Sequence, residues 1–427
     1  DAARQEAKRA DKQLSALPKD QIPPFYGVPC SIKECFQVAH MPQTSGVVAR
    51  RSFRAPGDAT AVARLRKAGA IILGLTNTSE LCMWMESQNK VYGRTNNPYN
   101  VKRTAGGSSG GEGALIGAAG TPFGLGSDVG GSIRLPAFFN GVFGHKPSGG
   151  LVPSTGQFPM AANHTQYYLN TGPMARYSED LMPLLRAMAG PDQQDHHCKS
   201  YKLGRIEDVD AKQTQVVMLA PESFGPVSKA LRHAQHQASL ALQQRGATLV
   251  HHHIPELKHA SWIWAAMISK GQQGALSTPD LGNGQPFVPI KQCWQWIKGQ
   301  SPHTLPGIIF SIIEQMPYYM PQITDKLCET GKKLRLKILK QMPPGTVMLC
   351  PTYRWTAPKH NHTLFTPFDF AYCGIFNVLG LPVTQVPLGL GNNGLPLGIQ
   401  VVGRPGEDHL TIAIAMMLEK DFGGWQP

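Results

Sequence analysis

The sequence predicts an α/β fold, and three observations carry that expectation. Short apolar runs alternate with glycine-rich turns and helical periods over the first third of the chain. Strand-type runs return near the C-terminus after a helix-rich middle. The chain has 427 residues, 41% of them hydrophobic and 16% charged, which is ample to bury a large core and excludes a disordered chain. The length admits one large domain, 1–427, or two closely packed halves.

The elements follow in order. Lys33 ends a strand-like apolar segment that includes Ser31 and Ile32. Asp58 is placed to cap a helix through Val62, Leu65 and Ala68 that stops at Gly69, ahead of a strand over 70–75. Residues 112–119 read as a small-residue helix and 121–126 and 142–145 as short strands, whereas NVKRTA at 100–105 is a poor strand. Residues 190–345 hold most of the histidines and tryptophans and read as a helical cap or insertion, with strand signals at 216–219 and 248–251. Strands are expected again at 346–350, 383–387 and 397–402, with a last amphipathic helix near 410–418.

A formal charge of +13 suggests an anionic partner such as a phospholipid surface. The short clusters Lys332, Lys333, Arg335, Lys337 and Arg50, Arg51, Arg54 accompany no nucleic-acid module, so no nucleic-acid partner is expected. Eight cysteines without a CxxC pair argue against a zinc site and a disulfide scaffold, and fit a reducing, intracellular compartment. His251, His252 and His253 are adjacent and would alternate faces in a strand, so no metal site is expected, and no cofactor. No apolar run is long enough to cross a bilayer. The chain starts at Asp1 and not at Met, so a preceding segment, with any anchor it carried, is expected to be missing.

The densest chemical signal is GGSSGGEGALIGAAGTPFGLGSDVGGSIRLPAFFNG, residues 106–141. Consecutive glycines let backbone N–H groups converge on an anion, although such turns also serve close helix–strand packing. Gly124, Gly126 and Gly130 give GxGxxxG, one residue too long for a dinucleotide fingerprint, and Glu112 stands where a P-loop needs lysine. Gly106, Ser108 and Gly110 satisfy GxSxG but lack the strand that a nucleophile elbow requires. A serine nucleophile needs a base. Lys33 is the best candidate, because burial in its apolar segment would favour the neutral amine; a surface lysine paired with Glu34 is the plain alternative.

With GVPCSIKE, GGSSGG and DVGGSIRLP all present, the chain resembles the amidase signature family. Ser108 and Ser132 lie 24 residues apart and Lys33 lies 75 before the first. TNTSELCMW, FGHKPS, TGPMAR, LGLPVTQVPLGL and GLPLGIQVVG extend the likeness, which favours the family's fatty-acid amide hydrolases. The resemblance implies a large mixed twisted sheet covered by helices on both faces. It also implies Ser132 as nucleophile, Ser108 as a bridging serine and Lys33 as base. Backbone N–H groups of Val129, Gly130, Gly131 and Ser132 would form the oxyanion hole, with Ser109, Asp128 and Arg134 in support. His145 and Lys146 read as fold-supporting residues.

The implied substrate is a lipid amide, and the implied setting a membrane surface, with a homodimer compatible. Residues 290–320 suit a hairpin whose apolar face rests in a membrane interface or lines substrate access, through Trp294, Trp296, Ile297, Ile308, Ile309 and Phe310. An ordinary buried helical pair would produce the same pattern. Two further functions share the motifs: the amidase component of a glutamine-dependent tRNA amidotransferase, and a silent lipid-binding protein that keeps the fold.

Overall fold

The computed structural model describes residues 1–219, 223–272 and 277–427. Ten strands form one sheet, numbered here in chain order: β1 Pro29–Lys33, β2 Ile71–Thr76, β3 Phe123–Asp128, β4 Phe143–Lys146, β5 Asn170–Ala175, β6 Gln215–Leu219, β7 Thr248–His252, β8 Thr346–Cys350, β9 Val383–Leu390 and β10 Pro396–Val402. Their spatial order is β7-β6-β8-β10-β9-β4-β5-β3-β1-β2. The sheet is mixed. β1 runs parallel to β2 and β3, and β6 parallel to β7 and β8, while the central pairs β3/β5, β4/β5, β4/β9, β9/β10 and β8/β10 are antiparallel.

Both faces are covered, as the side-chain alternation requires. Val216 and Met218 of β6, with Val347 and Leu349 of β8, point into one core together with Leu410, Ile414 and Leu418 of the helix Asp408–Phe422. Val217, Leu219, Met348 and Cys350 point the opposite way, against Ile263 and Ile268 of the helix Ala260–Gln272 and Leu334 and Ile338 of the helix Pro321–Gln341. Residues 190–345 thus supply two strands at one sheet edge before they supply the helices of the second face.

Two local expectations need correction, and one strand was not foreseen. Asp58 does not cap the helix Thr60–Lys67, whose N-cap is Ala59. Its carboxylate instead accepts from Ala39 N–H at 2.8 Å and pairs with Arg66 in that helix's last turn at 2.9 Å. Residues 100–104 do form a strand, a short antiparallel partner of Asn96–Asn97 outside the main sheet. β5 is a fully buried central strand over NTGPMA, where Gly172 and Pro173 hide the strand signal. At Gly172 a Cβ would fall 2.1 Å from His145 O, so the close approach of the backbone there demands glycine.

Candidate active site

Parallel pairing of β1 and β3, with Cys30 opposite Phe123 and Ile32 opposite Leu125, carries Lys33 and Ser127 to the same end of the sheet. Lys33 is fully buried, and its Nζ donates to Ser108 Oγ at 2.7 Å and to Ser127 Oγ at 2.8 Å. Among the described residues no carboxylate forms an ion pair with it. The amine therefore meets hydroxyls and a carbonyl, the surroundings a proton acceptor needs.

Ser108 sits between a tight turn and the helix Gly110–Gly117, behind a cis Gly107–Ser108 peptide. Ser87 Oγ fastens the segment, donating to Ser108 O at 2.9 Å and accepting from Gly110 N–H at 2.8 Å. Gly107 is confined by the chain opposite, since a Cβ there would lie 2.5 Å from Trp84 O. Ser109 N–H donates to Ser132 O at 3.1 Å and so ties the two serine segments together. The hydroxyl of Ser132 stands at a cavity that Ser108 and Ser127 also border. The chain from amine to second serine is thus joined at Lys33–Ser108, while no hydrogen bond links the Ser108 and Ser132 hydroxyls.

Asp128 and Arg134 shape the turn that carries Ser132. Both are fully buried, and the guanidinium meets the carboxylate through Nε to Oδ2 at 3.0 Å and Nη2 to Oδ1 at 2.9 Å. Arg134 also donates to Cys373 O, Gln400 Oε1 and Asn377 Oδ1, so every arm of its fork is used. Burial would raise the pKa of Asp128, but the Arg134 charge and hydrogen bonds, with Ile133 N–H, outweigh it and hold the carboxyl well below the usual range.

The carboxylate claims one of the expected oxyanion donors. Gly131 N–H donates to Asp128 Oδ1 at 2.7 Å, which removes it from the set of four. Among the described residues nothing accepts from the N–H of Val129, Gly130 or Ser132. Trp264, on the helix Ala260–Gln272, donates from Nε1 to Val129 O at 2.7 Å and fixes the other side of the turn.

Trp264 and Ser127 escaped the sequence reading, because both act through contacts with residues far away in the chain. Glu112 was read only as the residue that excludes a P-loop. Its carboxylate accepts from Ser31 Oγ and Thr76 Oγ1, each at 2.6 Å, and burial pushes its pKa up to about 7 against those bonds and the charge that Lys33 carries when protonated. A Cβ on Gly124 would sit 1.8 Å from Glu112 Oε2, so that glycine makes room for a carboxyl and not for a phosphate. His145 bonds to Thr384 and Asp408, and Lys146 donates to Pro147 O; both are fully buried. Among the described residues no group of three or more His, Cys, Asp or Glu is placed to hold a metal ion.

Ser132 opens on an apolar cavity bordered by Met83, Met85, Leu135, Trp264, Phe310 and Phe370. A second apolar cavity shares Trp84, Trp264, Phe310, Pro367 and Phe370 with it and extends to Met316, Met320 and Ile323. Met320 and Ile323, which line it, are themselves exposed, and elsewhere on residues 289–320 Trp294 and Ile297 on the helix Pro289–Ile297 are 60% and 69% exposed and Tyr319 is 79% exposed. Trp296 is exposed as well, and Phe310 on the helix Leu305–Ile313 lines both cavities. Ile309 is half-buried. Ile308 is the exception among the residues expected at this face, being fully buried and out of contact with solvent. No helix among the described residues is long and apolar enough to cross a membrane.

A large mixed sheet that brings a buried lysine, a hydroxyl bonded to it and a serine at an apolar cavity to one edge defines the class: the chain belongs to the Amidase family, whose pattern matches residues 1–412, and it is an amidase. It is 44% identical to Fatty-acid amide hydrolase 2 of Homo sapiens, over 99% of this chain and 81% of that one. It is 29% identical to a Glutamyl-tRNA(Gln) amidotransferase chain of Methanosarcina mazei, over 99% and 88% of the two chains. In fold it is similar to a peptide amidase from Stenotrophomonas maltophilia, with a TM-score of 0.79 at 23% identity over 100% and 88% of the chains.

Proposed function

We propose that this amidase hydrolyses long-chain fatty-acid amides, both primary amides and N-acylethanolamines, to the free acid and the amine. The observation that carries the reading is the pair of apolar cavities running from Ser132 to an exposed apolar surface, because an acyl chain needs such a path and glutamine does not. The 44% identity to a fatty-acid amide hydrolase supports it.

In this reading Lys33 as the free amine takes the Ser108 proton, Ser108 takes that of Ser132, and the Ser132 oxygen attacks the amide carbonyl. The Ser108–Ser132 link closes when substrate drives the two hydroxyls together, since such contacts tighten in the reacting complex. Negative charge on the carbonyl oxygen falls to the N–H groups of Val129, Gly130 and Ser132, each such donor typically worth about 2.7–4 kcal/mol. Asp128, held by Arg134, engages Gly131 N–H and leaves those of Val129, Gly130 and Ser132, residues that border the cavity, for the substrate oxygen. The relay then runs backwards and protonates the leaving nitrogen, and water cleaves the acyl-enzyme.

Residues 190–345 serve in this proposal as the part of the single domain that covers the acyl path, and the face formed by Trp294, Trp296, Ile297 and Tyr319 rests on a membrane. Aromatic side chains beside Lys298, whose Nζ lies 5.1 Å from the Trp294 ring, suit the boundary between acyl chains and headgroups. Trp294→Ala with Trp296→Ala is expected to weaken cosedimentation with anionic vesicles severalfold, and unchanged binding would count against this face. The substrate reading is tested by turnover of fatty amides of graded length with glutamine as control. Rates should rise with chain length and glutamine should not be hydrolysed; glutaminase activity would favour the amidotransferase function instead.

A further inference from the structure

Two thiols lie in the wall of the substrate cavity. Cys82 borders both the cavity at Ser132 and the smaller one at Ser108 and Ser127, and Cys35, two residues beyond Lys33, borders the latter. The backbone brings Cys82 there through two successive non-glycine residues in the left-handed region, Leu81 at φ 52° and Cys82 at φ 60°. Strain of this kind persists where surrounding structure enforces it, and it gathers at functional sites.

The two thiols differ in character. Cys82 Sγ lies 3.3 Å from Thr78 Oγ1 and also meets the side chains of Cys35 and Ser108. Burial alone would raise its pKa, but Cys35's hydrogen, the charge that Lys33 carries when protonated, Thr78 and Ser108 bring it below the ordinary thiol range. Cys35 is pushed well above the ordinary thiol range by burial and by Cys82, and its Sγ lies 3.5 Å from Ser127 Oγ. A partly exposed thiol on a cavity wall, in contact with a second thiol that is buried behind it, has the arrangement of a peroxide-reactive cysteine with its resolving partner.

We infer that Cys82 is a modification site for hydroperoxides that enter the substrate cavity, with Cys35 as its resolving thiol. The Cys82 sulfur attacks the terminal peroxide oxygen; the S–O bond forms as the O–O bond breaks, giving a sulfenic acid and an alkoxide or hydroxide that water protonates. Sulfur loses two electrons and the peroxide gains them. Cys35 sulfur then attacks Cys82 sulfur, the S–S bond forms, and the hydroxyl leaves with the Cys35 proton as water. Formation of this bond draws Cys35 away from Ser127, whose hydroxyl also receives a hydrogen bond from Lys33, so oxidation slows reaction at Ser132. This inference goes beyond amide hydrolysis and needs only the cavity and the two thiols.

The test is mass spectrometry of the full chain after exposure to a fatty-acid hydroperoxide or to hydrogen peroxide, with dimedone present to trap sulfenic acid. Wild type should lose two thiols as a Cys35–Cys82 disulfide, reversible by dithiothreitol. Cys35→Ser should stop at a dimedone adduct on Cys82, and Cys82→Ser should give neither product. Faster reaction with the fatty-acid hydroperoxide identifies a lipid source, and faster reaction with hydrogen peroxide a small-molecule one. The inference is overturned if Cys82 stays reduced under both oxidants, or if Cys35 oxidises equally well in Cys82→Ser. Because thiol mass is read and not turnover, the result stands apart from the identity of the amide.

Discussion

Replacing Lys33 with alanine is expected to lower kcat/KM for an amide by about 10²–10⁴-fold, the usual contribution of a positioned acid or base, and to lower it much less for the ester of the same acyl chain. The difference arises at the leaving group. An alkoxide departs unaided, whereas an amide nitrogen must be protonated as the C–N bond breaks, and in the proposed mechanism the relay through Ser108 is the path for that proton. Lys33 has a second duty in holding Ser127, so the thermal unfolding of the variant should be compared with wild type to separate chemistry from folding. Equal losses on amide and ester would refute the relay.

The largest structural effect should come from Arg134→Leu. Removing the guanidinium leaves the Asp128 carboxylate fully buried without its cation and strips hydrogen bonds from Cys373, Gln400 and Asn377. Breaking one partner of a buried pair typically costs about 3–5 kcal/mol, a large share of a domain's net stability. The urea midpoint should fall accordingly with little change in slope. Arg134→Lys should recover part of the loss, because it keeps the charge and gives up the planar fork. A midpoint within error of wild type for Arg134→Leu would show that the pair does not hold the Ser132 turn.

The three side chains proposed to react were picked out for one reason, the joint presence of GVPCSIKE, GGSSGG and DVGGSIRLP that carries the family resemblance; local chemistry alone left a surface lysine and plain packing turns open. The strands at 216–219, 248–251 and 346–350 were legible for another, since continuous runs of apolar and β-branched residues between polar turns have few alternative uses. What stayed hidden depends on pairing across the chain. Trp264 holds Val129 O from 135 residues away, and Ser127 matters only because parallel β1 and β3 bring it beside Lys33. The engagement of Gly131 by Asp128 was equally invisible, as sequence names four adjacent N–H groups but not which one turns inward. Asp58 illustrates the converse error: a good capping residue was recruited by Ala39 and Arg66 instead.

One measurement bears most directly on the proposal that Ser132 is the nucleophile: labelling with a fluorophosphonate, which forms a covalent bond with an activated serine oxygen, followed by peptide mass spectrometry. Wild type should carry a single phosphonyl group on the peptide that contains Ser132, and Ser132→Ala should carry none. A label on Ser108 or another serine in wild type, or undiminished labelling of Ser132→Ala, would contradict it.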